Sequence, residues 1–140
     1  MKAFSYYIFV LTLAAIMYSC DIIEPSQNGG LSGRWHLMSV DTLATGGTKD
    51  CSADALYWDI EGNLLHVKWY FTRITNKDKV LYTEGLFVED FGNDDPATED
   101  VTPLQPYGIN ALNESYEIER NSGGRLVLKS PLLRLFFRKF

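Results

Sequence analysis

Apolar and polar residues alternate along most of the chain from Leu31 onward, so the hydrophobic repeat is two residues rather than the 3.6 of a helix. The clearest stretch is 64–72, where alternate positions carry Leu65, Val67, Trp69 and Phe71. Alternation of this kind predicts a half-buried strand with these four side chains on its inner face. Apart from a short turn near residues 52–56, no segment of the sequence has the pattern of a helix.

The same alternation predicts further strands, each bounded by a short turn that contains Gly, Asn, Asp, Ser or Pro. These strands cover residues 31–40, 56–60, 79–89, a stretch beginning at Tyr116, 125–129 and 132–140. Gly85 predicts a β-bulge. An eighth strand over 101–109 stays open, because Pro103 and Pro106 would confine it to a sheet edge. Seven or eight sequential strands predict an all-β, antiparallel up-and-down barrel, since closure removes exposed edges.

The first 19 residues lack this alternation: Lys2 is followed by an uncharged apolar run that ends at Ser19. A basic start, an apolar stretch and a small residue before the cleavage point describe a secretory signal peptide. The sequence at Cys20 resembles the bacterial lipoprotein signal, which implies a lipidated cysteine carrying palmitate-type acyl chains. Several acyl chains hold a protein on a bilayer essentially permanently. An uncleaved membrane anchor is the alternative, at the lower edge of the length that spans a bilayer.

Residues 20–30 contain Pro, Ser, Asn and paired Gly, which predicts a flexible tether. The sequence is therefore divided into a signal peptide over 1–19, the lipidated Cys20 with its tether over 20–30, and one β-barrel domain over 31–140. The membrane, reached through the lipid anchor, is the first expected partner.

The net charge of the mature chain excludes some classes of partner. Cleavage removes Lys2, one of 13 basic residues, and leaves 12 Lys and Arg against 18 Asp and Glu. This balance argues against nucleic acid and against anionic lipid headgroups as partners, because both select for clustered Lys and Arg.

Few residues have the chemistry of a catalytic or metal site. His36 and His66 fall at outward strand positions, without a partner in a catalytic spacing. Cys51 lies in a polar stretch without a nearby base, and lipidation of Cys20 leaves it without a disulfide partner. The acidic run 89–100 lacks the ligand spacing of a calcium-binding loop. We therefore expect a protein that is not an enzyme and holds no cofactor or metal.

The strand that opens the domain carries Gly33-x-Trp35, and an apolar strand with basic residues ends the chain. With the leader, this combination resembles the lipocalin-like, or calycin, lipoproteins of gut Gram-negative anaerobes, most of unknown function. The resemblance implies that Trp35 closes the bottom of the barrel, and that an arginine of the last strand, Arg134 or Arg138, packs across it. It also implies a lipid-anchored place in the cell envelope of a Gram-negative bacterium. We expect the outer membrane and leave open which side.

The first functional hypothesis is that the barrel binds a small apolar or amphiphilic ligand inside. An eight-stranded barrel is just wide enough to be filled by side chains or to hold one small ligand. The side chains predicted to line the interior are Leu37, Leu65, Val67, Trp69, Phe71, Tyr116, Ile118 and Leu128.

The alternative hypothesis is an interaction module, in which a filled barrel docks an envelope protein or glycan assembly through its loops. Its contact residues would be the segment 90–113 with Tyr57, Tyr70, Tyr82 and Tyr107. The size of the interior void discriminates between the two hypotheses, because small-molecule sites are usually ~300–1,000 Å³.

Overall fold

The computed structural model describes residues 30–89, 97–98 and 100–140. Cys20, the tether and most of the acidic run 89–100 lie outside the described residues. Within them the strands are β1 (Gly33–Thr42), β2 (Gly47–Asp50), β3 (Tyr57–Glu61), β4 (Leu64–Val67), β5 (Tyr70–Lys77), β6 (Val80–Glu89), β7 (Ala97–Thr98), β8 (Ser115–Ser122), β9 (Arg125–Lys129) and β10 (Leu133–Lys139), with a 3₁₀ helix at Thr102–Tyr107. No helix in this part of the chain is long and apolar enough to cross a membrane.

Eight of the described strands close into a barrel. Their order is β1-β3-β4-β5-β6-β8-β9-β10, each pair is antiparallel, and β10 returns to pair with β1. The short strand β2 pairs with the second half of β1, and β7 pairs with the end of β6. The prediction of an all-β, up-and-down, lipocalin-like barrel is therefore confirmed.

Because successive strands run in opposite directions, the connections fall at two ends of the barrel. The closed end comprises the start of β1, the end of β10 and the turns that join β3 to β4, β5 to β6, and β8 to β9. The chain also enters at this end, since Gly30 lies beside Asn121 at the end of β8. The opposite end, which we call the plugged end, comprises the remaining connections.

The barrel interior is filled by alternate side chains of the strands. Trp58, Leu81, Phe87 and Leu126 are 0 % exposed, which leaves no water-sized void against any of them. Burial of each large apolar side chain stabilises the fold by ~1.5–3 kcal/mol. This core is one contiguous cluster that runs from Leu31 to Phe137.

The single strand predicted over 64–72 is wrong, because the chain reverses direction within it. Lys68 adopts a left-handed conformation, with φ of 59°, and Val67 pairs directly with Tyr70 across a two-residue turn. The turn shifts the inward positions from odd to even numbers, so that Thr72 is buried and Phe71 faces outward. Division of this segment into β4 and β5 supplies the eighth barrel strand.

The eighth strand considered over 101–109 is also wrong. Residues 102–107 form a 3₁₀ helix, because the proline at position 103 lies in its first turn, where a missing N–H costs little. The bulge predicted at Gly85 is confirmed, since the register between β5 and β6 shifts around this glycine, whose φ is 74°. The short strands β2 and β7 were not expected from the sequence.

Candidate functional site

The closed end is sealed by Trp35, as the resemblance implied, but with a different cation across it. The indole Nε1 of Trp35 donates to the carbonyl of Leu31 at 2.8 Å. The ammonium of Lys139 lies 4.4 Å from the centre of the Trp35 ring and donates to the carbonyl of Ser32. Gly33 leaves the space for it, because a Cβ at this position would lie 2.6 Å from the Lys139 Nζ.

The two arginines proposed for this role lie elsewhere. Arg134 forms a two-pronged ion pair with Glu119, with an Nε–Oε1 distance of 2.6 Å. Arg138 is exposed on β10 opposite His36. The expectation that either packs across Trp35 is therefore corrected: register places Lys139 opposite Trp35 on the last strand.

The other end of the barrel is stopped by the segment 101–112, which includes the 3₁₀ helix and which we call the plug. Leu104 and Ile109 of the plug are fully buried in the barrel core. Two side chains from the barrel wall hold it: Trp58 Nε1 donates to the carbonyl of Tyr107 at 2.9 Å, and the Tyr116 hydroxyl donates to the carbonyl of Gly108 at 3.2 Å. The plug therefore occupies the mouth through which an interior ligand would enter.

Burial at this contact changes the acidity of a phenol. Desolvation raises the pKa of Tyr116 well above its ordinary value, and the nearby carboxylate of Glu114 raises it further. The neutral phenol is the form that can donate to Gly108, so the contact depends on Tyr116 keeping its proton.

Most residues predicted to line the interior do point inward, and they fill it. Five of them are 0 % exposed, and Ile118 packs against the same core from a partly buried position. The five are Leu37, Leu65, Val67, Tyr116 and Leu128. Trp69 and Phe71 are corrected: Trp69 is 52 % exposed on the turn after β4, and Phe71 lies on the outer wall.

The tyrosines proposed as a contact surface are distributed between outside and inside. Tyr82 is exposed on β6, and Tyr57 is partly exposed on the outer wall of β3. Tyr70 and Tyr107 are partly buried against the core, and burial raises the pKa of the Tyr107 phenol. The four therefore do not form one surface, and much of the segment 90–113 proposed with them lies outside the described residues or in the plug.

A groove of about 650 Å³ runs across the outer wall where β1, β3, β4 and β5 lie side by side. Its lining combines apolar, aromatic and charged groups: Ser32, Gly33, Arg34, Asp59, Ile60, Glu61, Leu64, His66 and Phe71. Leu64 is 44 % exposed and lines the groove together with Phe71. The groove therefore offers an apolar wall beside a charged one.

Arg34 organises the charged wall of the groove. Its guanidinium makes two parallel hydrogen bonds to Asp59, at 2.7 and 3.1 Å. It also lies over the rings of Tyr57 and Phe140, at 5.0 and 5.7 Å from their centres. The hydrogen bond to Asp59 raises the pKa of Arg34, which remains cationic.

The groove was missed from the sequence because its apolar members look like strand core. Leu64 already falls on the outward face of the predicted strand, but alternation assigns Phe71 to the inner face, and only the reversal at Lys68 places it on the outer wall beside Leu64. The charged wall was not predictable either, because Arg34 and Asp59 come opposite each other only after β1 and β3 pair.

The histidines and the second cysteine do not form a catalytic group within the described residues. His36 and His66 lie on the outer wall, and His36 Nε2 is 2.7 Å from the carbonyl of Asp54. Cys51 is buried and unpaired, and desolvation raises the pKa of its thiol, which disfavours the nucleophilic thiolate. No three His, Cys, Asp or Glu side chains of the described part lie close enough together to hold a metal ion.

Residues 14–140 match the family described as lipocalin-like domain. Among solved structures, a lipocalin-like protein from Bacteroides uniformis ATCC 8492 superposes with a TM-score of 0.59 at 17 % identity, over 80 % of this chain and 100 % of that one. An uncharacterized protein from Bacteroides eggerthii DSM 20697 gives 0.54 at 10 % identity, over 78 % and 98 %. At these identities the two structures are similar in fold alone. No curated relative matches the chain.

Proposed function

Because the chain belongs to the lipocalin-like domain family, we propose that it is a lipid-anchored binding protein of the bacterial cell envelope that takes its ligand on the outer wall of the barrel. The ligand is a small amphiphilic molecule, and its site is the groove between β1 and β5. The protein binds and does not catalyse.

The filled interior is the observation that carries this proposal. Inward side chains such as Leu65 and Leu128 are 0 % exposed, and the plug stops the mouth of the barrel. The outer groove, at about 650 Å³, lies within the ~300–1,000 Å³ that small-molecule sites usually occupy. An incoming molecule therefore meets the groove without having to displace any of the core.

The lining of the groove selects an amphiphile. Leu64 and Phe71 offer apolar contact to an acyl or ring system. A guanidinium has five N–H donors, and Asp59 accepts two of those of Arg34, which leaves donors for an oxygen of the ligand. A ligand with a short apolar part beside a polar or phosphate head fits both walls.

In this proposal, lipidation of Cys20 anchors the protein in the cell envelope. The basic start, the apolar run and Ser19-Cys20 support cleavage and lipidation. Cells that express the protein with radioactive palmitate should label the unaltered chain and leave the Cys20→Ala variant unlabelled. Label on the Cys20→Ala protein would contradict the anchor.

The groove is tested by binding of monomeric lauroyl lysophosphatidylcholine, measured by calorimetry. Replacement of both apolar wall residues, in a Leu64→Ser/Phe71→Ala variant, should weaken binding by at least about tenfold, because a few kcal/mol of apolar contact are lost. Leu132→Ser is the matched control, since Leu132 is an exposed leucine outside the groove. If the groove variant binds the lysolipid as tightly as the unaltered protein does, the groove is not the binding site.

A second candidate, docking of an envelope protein, is favoured by the exposed apolar residues at the plugged end. Trp69 and Leu132 project from the turns after β4 and β9, and exposed tryptophan is a frequent anchor of protein interfaces. A crosslinker placed at position 69 that captures a defined envelope protein, together with absent lysolipid binding, would favour this candidate over the groove.

A further inference from the structure

We propose that the closed end of the barrel is a contact surface for an anionic bilayer, so that the anchored protein rests on the membrane with this end down. The inference rests on the proposed lipid anchor and specifies how the anchored domain is oriented. It concerns a surface separate from the apolar wall of the groove.

Basic side chains concentrate at the closed end. Within the described residues, seven cationic side chains lie there against three carboxylate side chains, one of which is paired with Arg34. The cations are Arg34, Lys77, Lys79, Arg120, Arg125, Arg138 and Lys139, all exposed, and the carboxylates are Asp59, Glu61 and Asp78.

Contacts within the closed end show that four of the cations, those of β10 and of the β8–β9 turn, are neighbours. The guanidinium of Arg120 folds over the turn between β8 and β9, 3.7 Å from where a Cβ of Gly123 would lie. The backbone N–H of Lys139 donates to the carbonyl of Gly124 in the same turn. Strand pairing places Arg138 directly opposite Arg125. The last strand and the β8–β9 turn therefore present their cations together.

The plugged end lacks this excess of cations. Its described connections and adjoining strand ends carry six carboxylates and four cationic side chains. The carboxylates are Asp41, Asp50, Asp54, Asp100, Glu114 and Glu117, and the cations are Lys49, Lys68, Lys129 and Arg134. An anionic surface therefore attracts the closed end more strongly than the plugged end. The net charge of the whole sequence does not reveal this difference between the two ends, which is why composition argued against anionic headgroups.

Exposed apolar groups accompany the cations. Phe140 is 77 % exposed at the closed end, and its ring packs edge-on against Tyr57 at 5.4 Å. On surfaces that lie on a bilayer, apolar side chains such as Phe enter the headgroup boundary while neighbouring basic side chains contact lipid phosphates. Phe140 among arginines and lysines therefore fits a lipid surface better than it fits bulk water.

The chain enters the barrel at the closed end. Gly30 lies there, ten positions after Cys20. Ten peptide units span at most ~36 Å. A lipid on Cys20 therefore holds the basic end near the headgroups at a high effective concentration, so even a weak contact is populated.

The test uses the unlipidated chain from Asp21 to Phe140, which contains the whole described core, and sedimentation with phosphatidylcholine vesicles with or without phosphatidylglycerol. We expect binding that requires phosphatidylglycerol and weakens with added salt. The Lys77→Glu/Lys79→Glu/Arg125→Glu variant should lose about tenfold or more in partition coefficient. The control Lys49→Glu/Lys68→Glu/Lys129→Glu changes net charge equally at the plugged end and should retain binding.

The proposal would be overturned if the two triple variants lost vesicle binding equally, or if the protein bound equally to both kinds of vesicle. Either result would favour a protein as the partner of this surface. Thermal unfolding checks that each variant is folded. If the closed-end triple variant is not, the single variants Lys77→Glu and Arg125→Glu replace it, each with a shallower salt dependence expected. Because no lipid on Cys20 is involved, failure here is distinct from failure of the anchor, which palmitate labelling tests.

Discussion

At the scale of single residues, the Gly33-x-Trp35 motif is explained by one lysine. Trp35 closes the barrel, and Lys139 lies across its ring while its ammonium reaches the carbonyl of Ser32. That path passes through the space that a side chain at position 33 would fill. The motif could be recognised in the sequence, but the residue that completes it could not, because Lys139 and Trp35 meet only after β1 and β10 pair.

Gly33→Ala should destabilise the protein by about 2–4 kcal/mol, as measured by urea unfolding. The backbone φ of 120° is nearly exclusive to glycine, and the new Cβ would displace Lys139 from Trp35. Gly62→Ala is the control, because its φ is 57° and a Cβ there meets nothing within 4 Å. The control should lose only about 1–2 kcal/mol. Equal losses would show that Lys139 contributes nothing to the closure.

At the scale of elements, alternation predicted most strands because a barrel wall has one buried face. Alternation missed the features that do not depend on which residues are apolar. The reversal at Lys68 uses neither Gly nor Asn, so the sequence contains no turn signal between Val67 and Tyr70. The plug was missed for a different reason. Leu104 and Ile109 are buried because their segment crosses the barrel mouth, and no local hydrophobic repeat predicts such a contact.

Gly108 ties the plug to the barrel wall. Its φ is 89°, and a Cβ would lie 2.6 Å from two methyl carbons of Leu135. Gly108→Ala should therefore loosen the plug, which raises the rate of amide hydrogen exchange at Leu104 and Ile109 by about tenfold or more. Gly46→Ala, with φ of 71° and open space, is the control and should leave these rates unchanged. Unchanged exchange in Gly108→Ala would contradict the role of the plug as a packed element.

At the scale of the whole molecule, closure makes the buried phenol of Tyr116 a determinant of alkaline stability. Burial raises its pKa above the ordinary value, so the unfolded state releases the proton first as pH rises. The stability that depends on the neutral phenol is fully present below pH ~10 and is lost as pH rises toward the folded pKa. The melting temperature should fall above pH ~10, and less steeply in Tyr116→Phe. Parallel declines in both proteins would contradict this account.

Whole-molecule properties were the least accessible to the sequence. Composition predicted an acidic chain, and the fold gathers seven exposed cationic side chains at the closed end. The sequence also left two outcomes for the interior, a pocket or a core, because the same alternating residues build both. Packing at Leu65, Tyr116 and Leu128 decides for a core in the described residues. The binding surface is consequently sought on the outer wall.

The central claim, a filled barrel that binds from outside, is tested most directly by nuclear Overhauser effects between a bound lysolipid and labelled leucine methyl groups. Leu64 and Leu65 are sequence neighbours on opposite faces of β4. The account predicts contacts from the acyl chain to the methyl groups of Leu64, and none to those of Leu65 or Leu128. Contacts to Leu65 and Leu128 with silence at Leu64 would contradict it and return the ligand to the barrel interior.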